Sequence, residues 1–404
     1  KGLRLGLLHG RLSSADKEVT MGLFNDLAMG WRYARGLKPF LSNKRSDSDP
    51  TATIRAELAT RDERFLSTMH AGIFAYPRSP YLPLLQRAGI DEQHLAALVR
   101  QLGIQATLRQ LYDAGVYLTL DEFKGRAPIV RSGLELPVKA SDFDSPLNKG
   151  QLHGVTGGSR TRGTRITLDL EDFEGEIPMY RLWLQANDAL ALPQTYWRPA
   201  MPSTSTLKYA LIAARTGIRV DRWYTQTRPG PRQPGGITGV LVHGATCLLT
   251  TFAGSPLPYP RYVPTDAPDP IVRWLAAQTA RGERIYLDVI VSSAVLLCQR
   301  AAELGLDISG HLFRTISEPL TPAKAMAIRN AGCDVFSAYG MVDAGRLGCS
   351  CGTPNALDDM HLFTHRNAFL DVARAVPGWP QPVGALYLTS LRPTAPKMLL
   401  NVET

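Results

Sequence analysis

No stretch of this 404-residue chain approaches the ~20 consecutive apolar residues that a membrane-spanning helix needs. The opening residues, Lys1-Gly2-Leu3-Arg4-Leu5-Gly6-Leu7-Leu8-His9, lack the full apolar core and cleavage site of a secretory signal. Cysteine is scarce. Cys247, Cys298, Cys333, Cys349 and Cys351 are odd in number and scattered through apolar or loop contexts, which argues against a disulfide framework and for reduced thiols. These absences lead to the expectation of a soluble, cytoplasmic protein without a targeting segment. Lysine is sparse beside arginine, and the basic residues are dispersed rather than gathered into a stripe with interleaved aromatics. The formal net charge of +9 therefore speaks for an anionic small molecule such as a nucleotide, or simply for solubility, and not for nucleic acid.

Several well-known catalytic signatures are missing as well. Gly158 and Gly163 are spaced as in a P-loop, but Thr164-Arg165 stands where Lys-Ser/Thr should follow, so that reading fails at its most informative position. No Gly-x-Gly-x-x-Gly opens a helix and no Gly-x-Ser-x-Gly elbow occurs, which weakens the dinucleotide-binding and α/β-hydrolase readings. No internal repeat is found.

What is present is an ordinary globular composition, 44% hydrophobic and 20% charged, long enough for a large core and more than one domain or subdomain. The polar run Ser42-Asn43-Lys44-Arg45-Ser46-Asp47-Ser48-Asp49-Pro50 reads as a linker. Residues 1–50 are accordingly expected as an N-terminal extension and linker, and 51–404 as the core domain. Leu58, Phe65, Leu66 and Met69 predict a helix over 57–74, and Leu95, Leu98, Val99 and Leu102 share a face of a second helix that Gly103 interrupts or ends. Residues 166–170 alternate like a half-buried strand. Beyond residue 205, helices predicted at 207–216, 269–279, 292–304 and 321–330 alternate with strands at 219–225, 238–243, 284–291, 311–316 and 333–338. Residues 247–252 read as a further apolar, β-rich run. This alternation implies an α/β fold, parallel sheets covered by helices, with ligands at the C-terminal ends of strands.

The segment His153-Gly154-Val155-Thr156-Gly157-Gly158-Ser159-Arg160-Thr161-Arg162-Gly163-Thr164-Arg165 combines glycines, hydroxyls and arginines, a composition suited to phosphate. An exposed, flexible basic loop is its plain alternative. Ser317-Glu318-Pro319 and Tyr339-Gly340-Met341-Val342-Asp343 both fall at the ends of predicted strands.

In this order the three elements resemble those of the adenylate-forming ligases, specifically the phenylacetate-CoA ligase-like branch, over roughly residues 60–404. Pro128-Ile129-Val130-Arg131-Ser132 looks like the proline-containing segment that precedes the nucleotide loop there. Gly384-Ala385-Leu386-Tyr387-Leu388-Thr389-Ser390-Leu391 is similar to its Gly-Glu-Leu-x-x-Thr-x-Leu strand, and Leu399-Leu400-Asn401-Val402-Glu403-Thr404 to the approach to its ribose-binding aspartate. The resemblance implies the large N-terminal domain of an adenylate-forming enzyme, layered β-sheets packed with helices. It also implies a small C-terminal lid domain, which is absent from these 404 residues.

By the same resemblance the protein joins a carboxylic acid, aromatic by analogy, to ATP with release of pyrophosphate, and coenzyme A or the pantetheine of an acyl carrier protein then takes the acyl group. Thr156, Ser159, Arg160 and Asp343 are the implied catalytic residues. Thr156, Gly157, Gly158, Ser159, Arg160, Thr161, Ser317, Glu318, Pro319, Tyr339 and Gly340 are the implied nucleotide contacts, with Asp343 as the Mg2+ ligand. The family's loop differs at three places: Arg160 and Thr161 replace a Thr-Gly pair and Gly163 replaces a proline. Asp343 is one methylene shorter than the family's glutamate. These departures keep two alternatives open, transfer to a protein or amine acceptor and a non-catalytic nucleotide- or acyl-binding relative. Cys349, Cys351 and His361 offer three ligands for a structural Zn2+, but a fourth is not evident and ordinary loop cysteines are the preferred reading. His243 is read as a core histidine at a strand end, and Ser292-Ser293 as a helix N-cap. Trp197, Trp223 and Tyr224 are read as packing residues.

Overall fold

The computed structural model describes residues 14–42, 49–155, 165–228, 230, 236–357, 359–375 and 378–404, with side chains from residue 28 onward. The N-terminal part is helical: α1 (Ser14–Ser42), α2 (Pro50–Ala59), α3 (Arg61–Met69) continued by a π-turn, α4 (Tyr81–Arg87), α5 (Glu92–Asp113) and α6 (Leu120–Phe123). Two hairpins follow, β1 (Ile129–Arg131) with β2 (Leu134–Leu136), and β3 (Leu152–Val155) with β4 (Arg165–Leu168).

The alternating region contains α7 (Leu170–Ala186), β5 (Gln194–Arg198), α8 (Ser205–Arg215), β6 (Val220–Thr225), α9 (Gly236–Phe252) and β7 (Arg261–Tyr262). It continues with α10 (Asp269–Thr279), β8 (Tyr286–Ile290), α11 (Val291–Glu303), β9 (Leu312–Ile316), α12 (Pro322–Asn330) and β10 (Asp334–Met341). β11 (Gly345–Cys349) and β12 (His361–Leu362) extend that sheet. β13 (Asn367–Arg374), β14 (Val383–Ser390) and β15 (Val402–Glu403) form a separate one.

The large sheet runs β12-β11-β10-β9-β8-β5-β6-β7, parallel from β7 through β10 and antiparallel across β10, β11 and β12. Both its faces are buried, as parallel sheets require. Tyr196, Tyr286, Leu312 and Phe336 face a core shared with α1, α7, α8 and α9. Their neighbours Trp197, Leu287, Val289 and Phe313 face a second core with α10, α11 and α12. A third core joins α3, α4 and α5 to the small sheet and takes in Ala344 and Leu347 from the turn and strand after β10. No helix among the described residues is long and apolar enough to cross a membrane.

Three elements differ from expectation. Residues 238–243 and 247–252, read as strands for their β-branched content, form one helix, α9. Its buried residues Thr238, Gly239, Val242, His243, Thr246 and Thr250 recur at helical spacing, and tertiary packing against α1 overrides propensity. The helix expected over 57–74 breaks at Thr60 into α2 and α3. Within the first fifty residues, α1 delivers Tyr33, Leu37 and Phe40 to the core, where Tyr33 Oη and Thr246 Oγ1 lie 2.6 Å apart. Gly103, by contrast, marks the kink inside α5, with φ 73°.

His243 is buried on α9 rather than at a strand end, edge-on to Trp223 with ring centroids 5.2 Å apart and with neither ring nitrogen hydrogen-bonded. Burial lowers its pKa from 6.5 to about 4. A group depressed on folding contributes its stability fully above the unfolded pKa, here 6.5, and loses it as pH falls toward 4. The shift corresponds to roughly 3 kcal/mol. His243→Leu should therefore show a smaller drop in Tm between pH 7.5 and 4.5 than the parent chain in thermal melts; parallel curves would refute this.

Candidate functional site

β5, β6, β8, β9 and β10 all end on one edge of the large sheet. Chain order reverses there between β5, which is followed by β6 and β7 on one side, and β8, which is followed by β9 and β10 on the other. Such a reversal opens a crevice at the C-terminal strand ends. Gln226, just after β6, spans it by donating to Ser293 Oγ at the start of α11, 2.9 Å away.

The β3–β4 hairpin docks on the same edge. Val155 N–H donates to the Pro202 carbonyl in the loop after β5 at 3.0 Å. Gly154 is needed for this approach, because a Cβ there would come within 2.6 Å of Thr204 Cγ2. The hairpin's connecting residues, 156–164, lie outside the described residues, and with them Thr156, Gly157, Gly158, Ser159, Arg160 and Thr161.

Ser317, Glu318 and Pro319 follow directly on β9. Ser317 holds φ 75°, a left-handed conformation that costs a non-glycine residue energy. The Glu318 carboxylate accepts from the backbone N–H and hydroxyl of Ser292, at 3.0 and 2.8 Å, and from Lys324 at 3.2 Å. Partial burial pushes its pKa up, but these donors prevail and hold it below the ordinary range. The expected cap is thereby inverted: no side chain caps α11 at its N-cap, Ile290, and Ser292 is a donor to Glu318.

Tyr339 is half-buried on β10, where the register with β11 shifts between Tyr339 and Gly340. Gly340 fits for want of a side chain, since a Cβ would lie 2.9 Å from the Gly345 carbonyl oxygen. In the turn that follows, Asp343 is 3% exposed. Its Oδ2 accepts from Lys124 Nζ at 2.6 Å, while Oδ1 is buried without a hydrogen-bond partner. An orphaned carboxylate oxygen suits a hard cation that takes its other ligands from phosphates and water. Lys124, just past α6, carried no sequence signal. Glu122, which forms the capping box of that helix with Thr119, pairs with Arg131 at 2.7 Å, so the Pro128–Ser132 segment is tied to α6.

Behind this edge, between the sheet and α7 and α8, lies a layer of buried charge that sequence reading missed. Asp288 on β8 accepts from Arg198 on β5 at 3.2 Å and from Arg314 on β9 at 2.5 Å. Asp172 on α7 accepts from Arg392 at 2.6 Å and Arg366 at 3.2 Å, and Lys208 lies 2.6 Å from Glu176 and 3.5 Å from Asp172. Arg392 also donates to the carbonyl of Ala344, next to Asp343. Burial alone would raise the Asp172 pKa, but Arg392, Lys208 and Arg366 bring it down to about 2. Arg346 stacks on Trp183 and Tyr209, its guanidinium carbon 3.4 and 4.0 Å from their ring centroids. The available signal was a lysine, Lys208, within the apolar helix α8.

Cys349 and His361 face each other in register on β11 and β12, and burial raises the Cys349 thiol to about 11. Among the described residues no group of three or more His, Cys, Asp or Glu is arranged to hold a metal ion.

No family model matches the chain, and no curated protein does. Solved structures do. One is 2-hydroxyisobutyryl-CoA ligase in the postadenylation state with R3-HIB-AMP, at TM-score 0.52 and 13% identity, covering 85% of this chain and 61% of that one. Another is the same ligase with 2-HIB-AMP and CoA in the thioesterification state, at TM-score 0.51 and 14% identity, covering 85% and 62%. The chain thus spans about three fifths of the length of these structures. At such identities the likeness is one of fold: the chain shares the α/β fold of these ligase structures.

Proposed function

We propose that this chain activates a carboxylic acid with ATP, forming an acyl-adenylate and releasing pyrophosphate, and that a thiol, coenzyme A or a carrier-protein pantetheine, then takes the acyl group as AMP leaves. An aryl acid is favoured through the resemblance to the phenylacetate-CoA ligase branch. The observation that supports this most is the convergence on one strand edge of the β3–β4 hairpin, Ser317-Glu318-Pro319 and the Tyr339–Asp343 turn. The similar ligase structures hold acyl-adenylates, which supports the same reading.

In this chemistry an acid carboxylate oxygen attacks the α-phosphorus, a new P–O bond forms, and the bond to pyrophosphate breaks. Charge grows on the phosphates, so donors and a cation fixed beforehand lower the barrier. Asp343 Oδ1 would hold Mg2+ together with the nucleotide phosphates, and the ion would supply charge neutralisation. Thr156, Ser159 and Arg160 would donate to the phosphates from the hairpin. Tyr339 would lie against the base, with Ser317, Pro319 and Gly340 shaping its slot. Glu318 would act by fixing the start of α11. Lys124 holds Asp343 in place and, as a cation, competes with Mg2+ for it.

That ion pair also favours a second reading, a relative that binds nucleotide without catalysis, because Asp343 is already neutralised. Acid-dependent exchange of labelled pyrophosphate into ATP, measured over aromatic, fatty and amino acids, separates the two. Exchange with at least one acid is expected; ATP binding without exchange for any of them would leave only the second. Asp343→Ala should lower exchange by about 100-fold or more with an unchanged circular dichroism spectrum, and full activity would remove Asp343 from the site. In Lys124→Ala the Mg2+ concentration for half-maximal exchange should fall several-fold; an unchanged or higher requirement would contradict the competition.

A further inference from the structure

A cleft of about 640 Å³ opens between α2, α7 and the loop after β14, and Arg366 and Arg392 form its floor. The same two arginines line a narrow inner cavity with Arg346, where there is room for a single water-sized sphere. Around them stand five cations, Arg64, Lys208, Arg346, Arg366 and Arg392, and three carboxylates, Glu57, Asp172 and Glu176, all but Arg64 and Glu57 more than nine-tenths buried. Two positive charges are thus left over in a setting where uncompensated charge costs several kcal/mol per ion.

Hydrogen-bond donors are left over too. Arg366 Nη1, Arg392 Nε and both terminal nitrogens of Arg346 are buried without an acceptor. Their field reaches His365, whose pKa falls to about 3 through burial and through Arg366, Arg64 and Arg392. Arg64 and Arg181 continue the basic wall outward, while Ile177 and Leu391 give the cleft an apolar side. Of the wall carboxylates, Glu171 already holds Lys149 at 2.5 Å, and Glu57, whose Oε2 is buried without a hydrogen-bond partner, acts on Arg64 and Arg366.

We propose that this cleft is a second ligand site, behind the strand-edge site, for a phosphate-bearing molecule: the dianion sits against Arg366 and Arg392, and any organic part lies along Ile177 and Leu391. A dianion matches the surplus of two charges, and guanidinium forks match phosphate geometry. Inorganic phosphate and a phosphate monoester share this chemistry. The proposal goes beyond the adenylation reading and does not rest on it.

The test is titration calorimetry and thermal melting of the whole chain with inorganic phosphate and with phenyl phosphate, each against chloride at equal ionic strength. Saturable binding to one site and a Tm rise beyond the chloride control are expected. Tighter binding of phenyl phosphate would identify a monoester as the ligand class, and equal binding the free ion. Arg366→Lys, which keeps the charge beside Asp172, and Arg64→Gln, farther out on the wall, should each weaken binding by about tenfold. No binding beyond chloride, or binding that both folded variants retain unchanged, would overturn the proposal. Pyrophosphate exchange is scored separately, so either proposal can fail alone.

Discussion

The site depends on a constraint of topology: a parallel sheet whose chain order reverses between two neighbouring strands cannot close its connections over that point. Here the reversal separates β5 from β8, and the segments that carry functional groups emerge around it. Because both sheet faces are buried in apolar cores, the strand ends form a rigid rim. The rim is trimmed by local fits that tolerate little change, such as Gly154 against Thr204 and Gly340 against Gly345. A site built on such a rim is positioned by the core beneath it.

The second organising feature is the buried charge. Asp288 ties three adjacent strands through Arg198 and Arg314, and Asp172 ties α7 to the segments before β13 and after β14. Buried ion pairs add little net stability compared with apolar packing, whereas removing one partner is costly. They link adjacent strands and neighbouring layers. Arg392 joins this network to the candidate site, since it donates to both Asp172 and the carbonyl next to Asp343.

Much of this was legible in the residues. The alternation beyond residue 205 marked β8, β9, β10, α10, α11 and α12, because period and turn residues agree there. Ser317 to Pro319 and Tyr339 to Asp343 fell at strand ends as expected. α9 was misread because Thr and Val favour strands locally, and contact with α1, two hundred residues away, decided otherwise. Lys124 and the arginines of the ionic layer were invisible for a related reason: each is isolated in the chain and acquires meaning from a partner brought close by folding. The β3–β4 hairpin was legible as two flanking strands, Leu152–Val155 and Arg165–Leu168, while its tip lies outside the described residues.

Photolabelling with 8-azido-ATP and peptide mapping by mass spectrometry tests whether nucleotide binds at the strand edge around the β5–β8 reversal. ATP-protectable label is expected in peptides covering residues 154–165 or 315–343. Label that ATP does not displace, or that falls only on segments away from this edge, would contradict it.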